Sequence, residues 1–577
     1  MMNIENLKRF IQVAKGAVKA EFVLKNAQVF HVFTGEFLRG DVAIEQGRVA
    51  GIGNYQGLAE IDLGGSYLTP GFIDAHIHIE SSMLSPLEFA RAVVPTGTTT
   101  VIADPHEIAN VTGIAGIEYM LEATESLPLN AYFMLPSCVP ATHLENSGAK
   151  LLADDLTGLI GHPRVLGLGE MMNYPGVLAG DQSVLEKLQL AGKKKIDGHA
   201  PGLSGNELMA YAAAGVESDH ECVNAEQALE KLRAGMHIMI REGSAAKNLR
   251  ALAPLINHYN AQFCCFAADD RHPEDLIKEG HINHMVKVAV EAGIDLATAL
   301  QMATINAARY FDLKDVGAIA PRYRADLLVF DNLTDWQPRM VFKDGVLVGK
   351  ENQALFAAAS AVPDTIKNTM HLATVDPKKL CIEANGDVAH VIGLVEEQIV
   401  TKKLLMKIKV QEQQVVTDVS EDILKLAVFE RHHKSGNIAV GLVKGFGLKR
   451  GAIASTIAHD SHNLIAIGEN DADILAAVAA IEKMQGGIVI VVDGRIEGSL
   501  ALPIGGLMSE EPVAVVEKKL AQLTKKAYEL GVKKAYDPFL TLAFLSLPVI
   551  PELKLTDLGL VDVGSFEVIP VMTGNCE

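Results

Sequence analysis

The stretch Gly71–Pro86 reads GFIDAHIHIESSMLSP, and it continues an apolar segment that starts at Tyr67. The apolar run predicts a buried strand, and two histidines, His76 and His78, stand at its end. Side chains two residues apart on a strand point to the same side of the sheet, so both imidazoles would face one way. Such a pair, followed by the carboxylate of Glu80, favours a metal site at the end of the strand.

Outward from this stretch, apolar runs alternate with segments of helical pattern, as in SPLEFARAVVPTG (85–97) and GNELMAYAAAG (205–215). Repeated β–α units favour a parallel sheet, and eight of them fit a (β/α)8 barrel. A doubly wound open sheet is the alternative, and the number of units favours the barrel. The predicted strands are 68–76, 98–103, 130–135, 164–170, 194–199, 215–220, 237–241 and 261–268.

Short strands punctuated by glycines precede and follow the predicted barrel, at 20–70 and 317–349. Two distant segments of the same kind suggest one β-sandwich domain built from both flanks. A further α+β region starts near residue 381. The predicted organisation is 1–67 for the N-terminal segment and first part of the split β domain, 68–316 for the barrel, 317–380 for the second part and a linker, and 381–577 for the C-terminal α+β domain.

The composition narrows the class of protein. The 577 residues include 51 basic and 71 acidic side chains, a net charge of −20, which disfavours binding of nucleic acid phosphates. No apolar run reaches the roughly 20 residues that a bilayer span needs, and the N-terminus lacks a signal-peptide core. The six cysteines include no C-x-x-C pair, which disfavours a disulfide framework. We expect a soluble, cytoplasmic protein with no nucleic-acid or membrane partner.

Polar side chains of the kinds that ligate metals follow six of the predicted strands. Because the active sites of such barrels lie at the C-terminal ends of the strands, these side chains would meet at one mouth. Imidazoles mixed with carboxylates suit divalent Zn, Mn or Fe, and such a set could hold two ions about 4 Å apart. The candidates are His76 and His78; Asp104, His106 and Glu107; Glu170; His199; His220 and Glu221; and Asp269, Asp270 and His272.

The order of these motifs resembles the amidohydrolase superfamily over residues 20–350. The segments HIHIESSMLSP, ADPHEIANVTG, GLGEMMNYPGV, DGHAPGL and AADDRHP, with IAHDSHN at 457–463, are more specifically similar to the bacterial adenine deaminase family. The resemblance implies a distorted (β/α)8 barrel, hydrolysis of adenine to hypoxanthine and ammonia in purine salvage, and a homodimer. It also implies a binuclear Mn²⁺ or Fe²⁺ site, and the ligand types admit Zn²⁺ as well.

The resemblance also assigns the ligands. His76, His78 and Asp269 would hold one ion, and His199 and His220 the other. Glu170 would bridge the two ions, at the position where many superfamily members have a carbamylated lysine. This departure argues against hydantoinase-like chemistry on a cyclic amide. The retention of every ligand argues against a non-catalytic scaffold.

The implied mechanism uses Glu170, His220 and Asp269 as catalytic residues. A metal-activated hydroxide would attack C6 of adenine, and Asp269 would take its proton and pass it to the departing amine. We prefer Asp269 to Asp270 as the ligand because it comes first after the strand. A register shift of one residue would instead turn the side chain of Asp270 toward the site. A further acid must protonate a ring nitrogen, and Glu80, Glu107 and Glu221 are unranked candidates.

Several predicted roles stay open at this point. The trio Asp104, His106 and Glu107 could form a further metal site, support the first site through hydrogen bonds, or belong to a polar loop. The C-terminal motif AHDSHN could close over the substrate, bind another metal, or cap a helix. The segment RHHKSGN (431–437) is most simply a solvated turn. The predicted substrate-binding residues are Glu80, Asp270, His459, Asp460 and His462.

Overall fold

The computed structural model describes residues 3–358, 361–396 and 398–574. Its middle contains eight strands, and every pairing among them is parallel. The first five form one sheet and the last three form another. The predicted (β/α)8-like domain is therefore confirmed. The strands are Phe72–Ile77, Thr98–Ala103, Asn130–Leu135, Val165–Met171, Lys195–Gly198, Ser218–Asp219, His237–Arg241 and Cys264–Ala267.

Hydrogen bonds join the last barrel strand to the first. The Asp269 amide donates to the His76 carbonyl oxygen at 2.9 Å, and the Asp74 carboxylate accepts from the Ala268 amide at 3.0 Å. At the other junction, the Glu217 amide donates to the Ile196 carbonyl oxygen at 2.9 Å. These contacts curl the two sheets toward a closed ring, so the ends of the first and last strands lie side by side.

Helices connect the strands and carry the start signals that their sequences predict. The helix Pro86–Val93 has proline at its first position, and the Ser85 hydroxyl accepts the Glu88 amide. The Asn224 side chain caps the helix Ala225–Arg233 in the same way. The remaining helices of this domain are His106–Thr112, Ile114–Thr124, Ala153–Ile160, Tyr174–Ala179, Gln182–Ala191, Gly205–Ala213, Leu249–Leu252, Pro273–Lys278, Ile282–Glu291, Leu296–Met302 and Ile305–Tyr310.

Strands from both flanks of the barrel lie in one nine-stranded sheet. They meet where Tyr67–Pro70 pairs antiparallel with Leu327–Phe330. The helix Ile4–Ala14 precedes this sheet and packs on it through Phe10 and Val13. The other strands are Ala20–His31, Glu36–Glu45, Arg48–Gly53, Gly57–Asp62, Met340–Lys343, Val346–Lys350 and Gln353–Ala354.

The C-terminal region contains a second nine-stranded sheet, with the helices Asp471–Met484, Val513–Glu529 and Pro538–Phe544. Among the described residues, no helix is both long enough and apolar enough to span a bilayer. The sheet strands are Val388–Leu394, Thr401–Lys407, Ile423–Phe429, Ile438–Lys444, Ala452–Ser455, Leu464–Gly468, Gly487–Val492, Arg495–Ala501 and Met572–Gly574; smaller strands are Val410–Gln411, Gln414–Val415, Leu553–Thr556, Gly559–Asp562 and Glu567–Ile569.

The C-terminal region packs against the mouth of the barrel. The Val513 amide donates to the Glu88 carboxylate at 2.9 Å, and the Thr556 hydroxyl donates to the Leu144 carbonyl oxygen at 2.6 Å. This packing brings the loop 457–463, which lies between two strands of the C-terminal sheet, to the ends of the first barrel strands.

Candidate metal centre

His76 and His78 lie at the end of the first barrel strand and are 1 % and 3 % exposed. Their Nε2 atoms are 3.2 Å apart, as their spacing on one face of the strand predicts. Asp269 follows the last strand, and its Oδ1 lies 3.2 Å from His78 Nε2 and 3.6 Å from His76 Nε2. The backbone of Asp269 has φ +58°, which a non-glycine residue rarely adopts, and this conformation places the residue between the two strand ends.

Glu170, at the end of the strand Val165–Met171, lies between two pairs of histidines. Its Oε1 is 3.1 Å from His78 Nε2, while its Oε2 is 2.7 Å from His199 Nδ1 and 3.2 Å from His220 Nε2. The two oxygens of one carboxylate therefore face the two predicted halves of the site. Burial alone would raise the pKa of Glu170, but its contacts with histidines hold that pKa well below the usual range.

The protonation of His78 provides a test of whether this set suits a metal. Its Nδ1 lies 2.9 Å from the Asp104 carbonyl oxygen, which only accepts, so Nδ1 carries the proton of the neutral ring. Nε2 then presents a lone pair to the oxygens of Glu170 and Asp269. Three acceptor atoms that face one another repel unless a positive charge lies among them. A second proton on the ring relieves this repulsion, and for this reason the two carboxylates raise the pKa of His78 well above its usual value. A divalent metal held among the three atoms would relieve it in the same way, so the residues fit such an ion.

Arg241, which the sequence analysis missed, supports this centre from the end of the seventh strand. It donates through Nη1 to Asp269 Oδ2 at 2.8 Å and through Nη2 to Glu221 Oε2 at 3.2 Å. Burial opposes ionisation of Asp269, but the guanidinium holds the pKa of that carboxyl well below its usual range. The sequence did contain a signal for Arg241: it is a charged residue at the end of a predicted strand, and the other candidates were found from that same position.

Of the trio Asp104, His106 and Glu107, the first two contact Glu170 and the third contacts the C-terminal region. Asp104 Oδ2 accepts the Glu170 amide at 3.1 Å, and His106 Nδ1 lies 3.4 Å from Glu170 Oε1. Asp104 therefore holds the backbone of Glu170, and His106 contacts its carboxylate. Glu107 points away from it, toward the C-terminal region.

Glu107 meets the histidines of the AHDSHN motif. His459 Nδ1 is 2.9 Å from Glu107 Oε1, and His462 Nε2 donates to Glu107 Oε2. Asp460 does not join them at this carboxylate: its Oδ1 lies 3.6 Å from His459 Nδ1. The motif is thus a buried loop at the barrel mouth.

A small cavity lies beside the predicted metal ligands. Barrel and C-terminal residues line it together, including Ser81, Asp270 and His272 from one side and Ile457, His459 and Leu540 from the other. The Ser81 hydroxyl donates to Asp270 Oδ1 at 2.5 Å. Glu80 does not line this cavity; it is 2 % exposed, its Oε1 accepts the Ile108 amide, and burial raises its pKa to about 7.

The interpretation of residues 431–437 as a solvated turn is wrong for the first two of these seven residues. Arg431 and His432 are buried. Arg431 donates to the carbonyl oxygens of Gly505 and His462, and His432 Nε2 donates to the Ser461 carbonyl oxygen at 2.8 Å. The segment fixes the AHDSHN loop in place.

Comparison with known proteins identifies the family. Residues 67–351 match the amidohydrolase family, and residues 398–567 match the adenine deaminase C-terminal domain. Adenine deaminase 2 of Carboxydothermus hydrogenoformans is 58 % identical over 565 residues, which are 98 % of this chain and 99 % of that protein. Adenine deaminases of Dehalococcoides mccartyi and Clostridium acetobutylicum are each 50 % identical, over 98 % and 97 % of this chain and 100 % and 99 % of their own lengths. The chain therefore belongs to the adenine deaminase family, in which an amidohydrolase domain precedes a C-terminal domain of the family's own.

Proposed function

We propose that this chain hydrolyses adenine to hypoxanthine and ammonia. The observation that carries the proposal is the identity of about half or more of the residues, over almost the whole chain, to proteins named adenine deaminase. The match includes the C-terminal region, which lines the cavity beside the candidate metal centre. A cyclic-amide hydrolase is disfavoured because Glu170 stands where many relatives have lysine.

We infer a binuclear centre of Mn²⁺, with Fe²⁺ or Zn²⁺ as alternatives, since imidazole and carboxylate ligands accept all three. Two cations held there would supply a water of lowered pKa and hence a hydroxide nucleophile near neutral pH. The residues that would hold them are His76, His78 and Asp269 on one side, His199 and His220 on the other, and Glu170 between.

The chain's own residues supply the proton transfers and the pocket. Asp269, kept ionised by Arg241, would take a proton from water and pass it to the exocyclic nitrogen, which leaves as ammonia. The apolar side chains of Ile457 and Leu540 would cover the purine ring, while Ser81 and Asp270 would bond to its polar edge.

The finer biological context is also a proposal. Deamination of free adenine places the protein in purine salvage, and we infer a homodimer from the family resemblance. The cysteines at 138, 222, 264, 265 and 381 are unpaired, which supports a reducing, cytoplasmic location.

Ammonia release from adenine by the purified protein tests the proposal. Activity should disappear when metals are removed by a chelator and return when Mn²⁺ is added, with two equivalents per chain. Adenosine serves as the control substrate, because the family resemblance predicts a pocket that leaves no room for ribose at N9. Activity that survives complete metal removal would contradict the mechanism, and a fully loaded protein that is inactive on adenine would contradict the substrate.

A further inference from the structure

A contact between the barrel and the C-terminal region places one histidine at the cavity in a defined protonation state. Glu107 comes from the second strand end, and its Oε1 lies 2.9 Å from His459 Nδ1. Because a carboxylate only accepts, Nδ1 carries a proton and the opposite nitrogen, Nε2, points away from Glu107. His459 is also one of the residues that line the cavity, together with Asp270 and Ser81.

The structure holds both the ring and the backbone of His459 in place. It stacks on Phe544 with centroids 4.6 Å apart and planes 20° apart. The His459 amide donates to the Ala543 carbonyl oxygen at 3.2 Å, and the Ser546 hydroxyl donates to the His459 carbonyl oxygen at 3.3 Å. A carboxylate that orients an imidazole from behind is the arrangement that proton-transferring histidines use.

The hydrogen bonds of His462 argue against a metal ion in this cluster. Glu107, His459 and His462 lie close enough together to hold an ion. However, His462 Nδ1 accepts the Ala458 amide at 3.2 Å, so its Nε2 carries the proton and donates to Glu107. A protonated Nε2 offers no lone pair to a metal, and the cluster therefore serves Glu107 as a set of hydrogen-bond donors.

We propose that His459 is a catalytic residue that donates its Nε2 proton to a ring nitrogen of the substrate, with Glu107 as its positioning residue. The inference rests on the proposed deamination of adenine. It also leaves no role as the ring-nitrogen acid for the three carboxylates that the sequence offered. Glu107 acts through His459. Glu221 is paired with Arg241, and Glu80 accepts a backbone amide.

Every proton in the proposed reaction can be accounted for with His459 in this role. When the water oxygen bonds to C6, the π electrons of the C6–N1 bond move to N1, which takes the His459 proton. Asp269 carries one water proton to the exocyclic nitrogen, and the C6–N bond then breaks with its electrons on ammonia. The proton left on the new hydroxyl group is lost as C6=O forms, and its transfer through Asp269 restores the charge on His459. Water thus supplies both protons that appear in hypoxanthine and ammonia.

The charges around His459 favour its protonated form. Burial opposes a charged imidazole, but the Glu107 carboxylate more than offsets it, and Asp460 and Asp270 act in the same direction, so the pKa of His459 lies well above its usual value. His462 faces the same carboxylate from the other side, and its own pKa is lowered. Of these two histidines, the one that lines the cavity is therefore the one whose surroundings favour the protonated form.

Chemical rescue of a His459→Ala variant tests the inference on the metal-loaded full chain. We expect kcat on adenine to fall about 100-fold or more, with little change in KM and unchanged metal content. Added imidazole should restore part of kcat, in proportion to the protonated fraction of the added base. The matched control is His258→Ala, an exposed histidine of the barrel domain, which should keep wild-type kcat with and without imidazole.

The Glu107→Gln variant provides a second measurement. It should lower kcat less than His459→Ala does and should shift the basic limb of the pH profile of kcat to lower pH, because the neutral amide no longer stabilises the imidazolium. A His459→Ala variant with near-wild-type kcat would overturn the inference while the wild-type activity leaves the proposed function standing. A wild type that is inactive on adenine would overturn both.

Discussion

At the scale of the residue, Glu170 holds the largest number of candidate ligands together. Its two oxygens lie within 3.4 Å of nitrogens of four histidines, at 78, 106, 199 and 220. Removal of this carboxylate takes away the anion that His78 shares with His199 and His220, so any cations lose their common ligand. We expect Glu170→Ala to reduce deamination at least about 1000-fold and to lower the metal content, with a near-native circular dichroism spectrum.

Exposed Glu118 is the matched control for this change, since Glu118→Ala removes an equal charge at the protein surface. Metal analysis of both variants after gel filtration provides the comparison. Two bound equivalents in Glu170→Ala, with normal turnover, would contradict the bridging position.

Glu145 gives a prediction about stability and pH. It is 4 % exposed, and burial, with the carboxylates of Asp460 and Asp557 nearby, raises its pKa well above the usual value. A folded-state pKa above the unfolded one means that stability is fully present below about pH 4 and is lost as pH rises through the folded pKa. Glu145→Gln cannot ionise, so it should be more stable than the wild type by about 1–3 kcal/mol at pH 8 and lose that advantage near pH 4.

Thermal melts of Glu145→Gln and of the surface variant Glu118→Gln between pH 4 and 9 measure the difference. The gap between Glu145→Gln and the wild type should widen as pH rises, whereas Glu118→Gln should follow the wild type. A gap that is constant across this range would show that Glu145 does not ionise differently in the two states.

Residues at strand ends could be predicted from the sequence, and their partners across the molecule could not. His76, His78 and Glu170 follow apolar runs, so local pattern alone placed them at one mouth. Glu107 and His462 are 355 positions apart, and no periodicity links them. Arg241 was missed for a related reason: its role depends on two carboxylates, Glu221 and Asp269, that follow the strands on either side of its own, and the pairing of these three strands brings them together.

At the scale of the element, the loop 457–463 depends on Arg431. This buried guanidinium donates to carbonyl oxygens of three segments, at Thr369, His462 and Gly505. Methionine fills similar space but leaves these oxygens without donors. We expect Arg431→Met to cost about 2–4 kcal/mol of stability and to lower kcat more than KM, because His459 is displaced with its loop.

Arg450→Met serves as the control, since Arg450 is largely exposed and pairs only with exposed Asp493 among the described residues. Unfolding by urea and steady-state kinetics measure both effects. Full activity in Arg431→Met despite lowered stability would separate the loop from catalysis.

The barrel strands also show what the pattern predicts at this scale. All eight predicted runs contain a strand, yet the sixth prediction, 215–220, contracts to Ser218–Asp219. Its residues Val216 and Glu217 follow Gly215, whose φ of +102° turns the chain before the strand can begin. Apolar runs fix which strands exist, whereas turn geometry fixes how long they are.

At the scale of the whole molecule, the barrel and the C-terminal region form one apolar core. Ile108 from the barrel and Leu507 from the C-terminal region belong to the same buried cluster. Asn146 is bound to Asp557 through both its backbone amide, at 2.9 Å, and its side chain, at 2.6 Å. The sequence predicted the two regions separately, because each has its own periodicity, but nothing local in it predicted that they would share a core and a cavity.

A shared core predicts that the two regions unfold together. Differential scanning calorimetry should give one transition, since loss of the C-terminal region would expose apolar barrel surface and leave Glu88 and Asn146 without their partners. Asp557→Ala should lower the temperature of that single transition without splitting it. Asp493→Asn, at an exposed site of the same region, should leave it unchanged, since asparagine tolerates the φ of +50° at that position. Two separable transitions in the wild type would instead mean that each region is stable alone and that the contacts at the barrel mouth only dock them. In that case the cavity residues contributed by the C-terminal region, His459 among them, would be free to leave the metal centre while the barrel stays folded.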